Sequence, residues 1–182
     1  MEGHGEVRAL PVLLRRLLPA TIELLPPFRV PRMRIVKDGE LERTVELVAR
    51  QVGPGGAILI LLDADDDCPA TLGPQLRARA LAHRSDRLVF VVLAKREFES
   101  WFIAAAESLA GKRTLNTVLP WVPEPENIHG AKEWLGVNMA PERGYSETLD
   151  QPAFAAEMDI EMAARAPSFA KLLKDLKGLT PD

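Results

Sequence analysis

The sequence predicts an α/β domain built on a mainly parallel sheet with helices packed against it. Two continuous apolar runs, Ala57–Leu62 and Arg87–Ala94, have the composition of strands covered on both faces. A stretch with helical spacing of its apolar residues follows each run, and strands alternating with helices imply parallel pairing. With 182 residues, 47% of them hydrophobic and 27% charged, the chain can bury one ordinary core.

From Val7 to Leu25, Leu10, Leu13, Leu14, Leu17 and Leu18 recur at helical spacing with Arg8, Arg15 and Arg16 on the other side, which predicts a first helix. Residues 28–36 alternate loosely and end in Lys37-Asp38-Gly39, the pattern of a short strand or extended arm, with Pro31 arguing for an edge position. Glu40–Val52 reads as a second helix, stopped by Gly53-Pro54-Gly55-Gly56 ahead of the first apolar run. Further helices are predicted at 70–84, 97–110, 131–138, 153–165 and 168–177, with a proline-rich loop after Gly111 and an irregular stretch before Gln151.

Composition narrows the possible functions. No apolar run is long enough to cross a bilayer, and no basic-then-apolar leader opens the chain, so no membrane role and a cytoplasmic location are expected. The single cysteine, Cys68, cannot form an internal disulfide or a cysteine-based zinc cage, and reads as a small packing residue. A net charge of −3 argues against gripping nucleic acid by bulk electrostatics. Neither an acyl-hydrolase serine motif nor a glycine-lysine phosphate loop is present.

The acidic residues carry the chemical signal. Asp63-Ala-Asp65-Asp66-Asp67 follows the first buried run directly, at the carboxyl end of a central strand, where open α/β sheets bind their ligands. If the strand continues through Asp63, Asp63 and Asp65 point to one side and offer hard oxygen ligands suited to Mg²⁺ or Mn²⁺. A helix-capping surface turn has the same composition. Glu2-Gly-His-Gly-Glu6 places two further carboxylates at the start of the first helix, where they also serve as simple dipole stabilisers.

Together, a glycine-flanked Glu before helix one and an Asp-x-Asp after a core strand resemble TOPRIM domains, the fold shared by topoisomerases, primases and overcoming-lysogenization-defect nucleases. That fold pairs a strand-end Glu with an Asp-x-Asp on a neighbouring strand to bind magnesium and act on phosphodiesters. The chain is also similar to an uncharacterised bacterial TOPRIM-like family, domain of unknown function family 4276. The similarity runs through Glu2–Glu6, Leu62–Cys68, Lys95–Trp101, His129–Leu135, Tyr145–Gln151 and Pro167–Phe169.

The resemblance implies a three-layer α/β/α core over residues 1–111, with residues 112–182 a proline-rich loop and helical extension packed on the same domain. It implies Mg²⁺ or Mn²⁺ ligation by Glu2, Asp63 and Asp65, with Glu6, Asp67 and one of Glu97 or Glu99 serving a second ion, and Lys132 as the phosphate-facing cation. Glu2 and Glu6 are also the expected catalytic carboxylates. The family carries an apolar strand before its first Glu, whereas only Met1 precedes Glu2 here. Either the recorded start lies too late or residues 28–36 occupy that sheet position.

Other residues have competing readings. Glu97 and Glu99 share a face only if extended, and an isolated Lys132 is otherwise an ordinary exposed lysine. His4 and His129 each border a glycine and would be metal or proton partners only if they meet the carboxylates. Trp101 and Phe102 read as core residues anchoring the helix after the second strand. The expected activity is Mg²⁺-dependent phosphodiester hydrolysis, a nuclease acting in phage defence or DNA processing. The alternatives are a non-catalytic subunit docking on a separately encoded ATPase and a small-molecule phosphohydrolase.

Overall fold

The computed structural model describes Met1 and residues 3–179. Two strands, β1 (Ala57–Asp63) and β2 (Leu88–Ala94), pair in parallel with Ala57 opposite Leu88 and Asp63 opposite Ala94. The helices are α1 (His4–Leu17), α2 (Arg32–Ile35), α3 (Glu40–Val52), α4 (Pro69–His83), α5 (Ser100–Ala104), α6 (Ala106–Leu109), α7 (Ala131–Val137), α8 (Glu147–Glu157), α9 (Ile160–Ala163) and α10 (Pro167–Lys177).

Strand periodicity divides the interior in two. Ile58, Ile60 and Leu62 of β1 join Val89, Val91 and Leu93 of β2 in a cluster with α3 and α4. Leu61, Val92 and Ala94 face the opposite way, into a larger cluster formed with α1, α5, α7, α8 and α10. Asp63, one alternation beyond Leu61, therefore turns toward α1 and α8. The larger cluster takes in residues from both sides of position 111, so the C-terminal helices share the core of the N-terminal part.

The architecture is mixed α/β with a parallel sheet, as expected, but the sheet has two strands among the described residues. Residues 28–36 do not join it. The chain is extended to Pro31 and then winds into the four-residue α2, whose Ile35 is buried against α3. The first helix stops at Leu17, ahead of Pro19, instead of running to Leu25. The helix expected over 97–110 is two short pieces that break at Ala105, with every residue of α5 buried. The last helices also differ: α8 starts at Glu147 rather than 153, and α9 is a separate turn.

Proline inside α8 explains part of that difference. Pro152 has no N–H for the Thr148 carbonyl four residues earlier, and Arg8 of α1 donates to that carbonyl at 3.0 Å. Arg16, two turns further along α1, donates to the Ala155 carbonyl at 2.8 Å. These arginines thus join α1 to α8 instead of simply facing solvent. Trp101 and Phe102 are fully buried, and the Trp101 indole N–H donates to Ser168 Oγ at 2.7 Å. Glu126 accepts from the Ser168 backbone N–H at 2.8 Å, fixing the first turn of α10. No helix among the described residues is long and apolar enough to cross a membrane.

Candidate active site

Four elements converge on Asp63. The strand carries it to the end of the sheet, 9% exposed, on the face covered by α1 and α8. Glu6, in the first turn of α1, is 4% exposed. Glu99, just ahead of α5 after the turn that leaves β2, is fully buried. Lys132, in the first turn of α7, is half-buried, with Nζ 3.2 Å from Glu147 Oε1. A cleft of about 720 Å³ opens beside this group, lined by Gly3, His4, Arg29, Lys132, Tyr145 and Glu147 among others.

Close burial of like charges dominates the electrostatics. Burial, then the nearby Glu6 and Glu99 carboxylates, push the Asp63 carboxyl well above its usual range, and Lys132 and the Phe98 backbone N–H oppose them. Burial raises Glu99 to about 7, against the stabilising effect of Lys132, Gln151 and Tyr145. For Lys132, burial works against the charged form, but the Glu99, Glu147 and Asp63 carboxylates outweigh it and raise the ammonium pKa. Burial and then Glu99 raise the Tyr145 phenol.

Glu99 is held by one of its oxygens. Oε1 accepts from Gln151 Nε2 at 2.7 Å and from the Tyr145 hydroxyl at 3.0 Å. Oε2 is buried and has no hydrogen-bond partner, and the same is true of Gln151 Oε1. An unpaired buried carboxylate oxygen next to two further carboxylates is an arrangement that a cation would relieve.

Other residues singled out from sequence have different partners. The strand ends at Asp63, and Asp65 adopts a left-handed backbone (φ 48°), which removes the alternation that would have aligned the two side chains. Asp65 is instead 3.5 Å from Arg32, which also pairs with Asp67; both carboxylates are largely exposed. Glu97 Oε1 accepts from the Ala131 backbone N–H at 3.0 Å and so secures the start of α7. Glu2 lies outside the described residues. His4 is exposed at the cleft and His129 is exposed beside Gly130. Cys68 does not pack: it is exposed at the start of α4, where the Thr71 hydroxyl and the backbone N–H groups of Thr71 and Ala70 lower its thiol pKa.

Glu6, Asp63, Glu99 and Lys132 are thus brought together, while Asp65, Asp67 and Glu97 engage other partners. Tyr145, Glu147 and Gln151 belong to the site; the segment Tyr145–Gln151 carried part of the family resemblance, but no spacing rule joins it to Glu99. Their partners are 46 and 52 residues away for Tyr145 and Gln151, a separation that periodicity does not read. Among the described residues no group of three or more His, Cys, Asp or Glu side chains is arranged to hold a metal ion. The donor chemistry of Asp63, Glu6 and Glu99 nevertheless suits a hard divalent cation, and the partnerless Glu99 oxygen supplies a free coordination point.

Neither the curated proteins nor the solved structures include a significant match to this chain. A family model matches residues 1–177. The chain belongs to the family described as Domain of unknown function (DUF4276).

Proposed function

We propose that this protein hydrolyses phosphodiesters with Mg²⁺ or Mn²⁺, acting as a nuclease. The observation that carries this reading is the burial of Asp63, Glu6 and Glu99 together beside Lys132, at the end of a central strand and next to an open cleft. Such a charge-loaded pocket costs stability, and buried groups with shifted pKa values cluster at functional sites, which supports this reading. Asp63, Glu6 and Glu99 would hold the ion, with Glu2 joining them on the strength of the family resemblance. When bound, a divalent cation lowers the pKa of a water ligand and stabilises charge on phosphoryl oxygens.

The side chains suit the remaining tasks. Water oxygen bonds to phosphorus as the ester P–O bond breaks, the water proton must leave, and the departing oxygen must gain one. Burial holds the Glu99 carboxyl at about 7 in the metal-free chain, and a bound divalent cation would favour its ionised, ligating form. Tyr145 and Gln151 orient it through Oε1. Lys132 stays charged and can offset a non-bridging phosphate oxygen, and Arg29 on the cleft wall can hold a neighbouring phosphate.

The test incubates the protein with Mg²⁺ or Mn²⁺ and plasmid DNA, single-stranded RNA or a nucleotide, beside Asp63→Asn and Glu99→Gln. Cleavage of a polymer that falls at least about 100-fold in both variants supports the proposal. Turnover of nucleotides alone would select the small-molecule phosphohydrolase that the net charge of −3 favours. No turnover on any substrate, with metal binding equal in wild type and Asp63→Asn, would leave the non-catalytic ATPase-partner subunit as the better account. A nuclease partnered with an ATPase in the cytoplasm fits a phage-defence role, which co-purification with a neighbouring gene product would check.

A further inference from the structure

Lys132 lines the cleft and also lies in the field of the buried carboxylates. Three anions raise its ammonium pKa, namely Glu99, Glu147 and Asp63. Two of them are fixed. Tyr145 and Gln151 hold Glu99 through Oε1, and the pairing of β1 with β2 holds the backbone of Asp63. Glu147 differs, because its carboxylate makes the direct ion pair, Oε1 to Nζ at 3.2 Å, and its side chain is 41% exposed on the wall of the cleft.

The backbone and the side chain of Glu147 have unequal freedom. A Cβ added to Gly5 of α1 would fall 2.6 Å from the Glu147 carbonyl, so the start of α8 is packed in place. The side chain can still turn about its own χ bonds into water without moving α8. An ion pair this exposed is weak, since water solvates both partners once they separate. A phosphate offers Lys132 the same kind of charge-assisted acceptor that the carboxylate does.

We infer that the Glu147 carboxylate holds the place on Lys132 that a phosphate oxygen takes, so that Glu147 sets the phosphate affinity of the cleft by competing for the same ammonium. The ligand class is a phosphate monoester or diester. An anion can replace the carboxylate, whereas a neutral ligand would leave the half-buried ammonium without its direct counter-charge. The inference rests on Lys132 facing phosphate, as in the proposed reaction, but it requires neither a metal nor turnover.

The test titrates inorganic phosphate into the full chain in EDTA, read by calorimetry, for wild type, Glu147→Gln, Lys132→Gln and the double variant. Glu147→Gln should bind phosphate about fivefold more tightly than wild type, and Lys132→Gln about fivefold more weakly. The double variant should bind no more tightly than Lys132→Gln, because the gain runs through that ammonium. Glu133→Gln removes an equal charge from the same cleft and should leave the affinity within about twofold of wild type. That comparison stands should Lys132→Gln fail to fold. Unchanged affinity in Glu147→Gln, as for a carboxylate that only joins α7 to α8 or complements the helix dipole, overturns the inference. An equal gain in Glu133→Gln, a gain that survives the loss of Lys132, or no phosphate binding in any form also overturns it. The expected pattern in a protein that cleaves nothing would uphold the inference while the proposed reaction fails, and turnover without an effect of Glu147 on phosphate affinity would do the reverse.

Discussion

Glu99 shows how one buried side chain couples folding to pH. Its Oε1 is fixed by Tyr145 and Gln151, whereas its Oε2 has no partner, so ionisation in the fold is only partly supported. A carboxyl raised from 4.5 to about 7 in the folded state contributes stability in full below the unfolded value, and that contribution fades as pH climbs through the folded one. Urea unfolding of the metal-free protein should therefore show a loss of up to about 3 kcal/mol between pH 4.5 and 7 that is reduced in Glu99→Gln. An equal loss in the variant would remove Glu99 from the account. Asp63→Asn should stabilise the metal-free protein at pH 8, because it removes a carboxyl whose charge burial, and then Glu6 and Glu99, oppose, while abolishing turnover. A melting temperature below wild type would contradict it. Asp63 was legible in the sequence because it ends an apolar run. Glu99 was one of two equal choices there, since nothing local shows that Glu97 is spent on the Ala131 N–H.

Elements position these residues, and some elements announce themselves better than others. β1, β2 and α3 were readable because each has a single period or a continuous apolar run between clear breakers. α5 fell within the helix expected over 97–110, but the break at Ala105 was not readable, because all five residues of α5 are buried and no polar face marks where the helix ends. α8 was obscured by Pro152, whose orphaned carbonyl at Thr148 is satisfied by Arg8 from another helix. The α1–α8 contact also depends on Gly5. A Cβ there would fall 2.6 Å from the Glu147 carbonyl and would also collide with the Gln151 amide. Gly5→Ala should cost about 1–3 kcal/mol in denaturant unfolding and shift Glu6 and Gln151 together. Wild-type stability in that variant would show that the two helices are not so tightly joined. Asp65→Asn, by contrast, removes only an exposed ion pair with Arg32 and should change stability by less than about 1 kcal/mol.

At the scale of the molecule, apolar clusters lie on both sides of the two-stranded sheet found among the described residues, and openings flank it. One is the cleft lined by Arg29, Lys132 and Glu147 beside the carboxylates, and the other is the cavity along β1 lined by side chains of α1 and α3. The α/β class and parallel pairing followed from strand composition, whereas the small sheet did not, because residues 28–36 have a strand's alternation yet close into α2 over Ile35. The account turns on a divalent ion bound by the buried carboxylates, and manganese anomalous scattering from Mn²⁺-soaked crystals tests that most directly. The expected result is a peak ligated by Asp63 with Glu6 or Glu99, lost in Asp63→Asn. No peak there, or a peak only among Asp65, Asp66 and Asp67, would contradict the account.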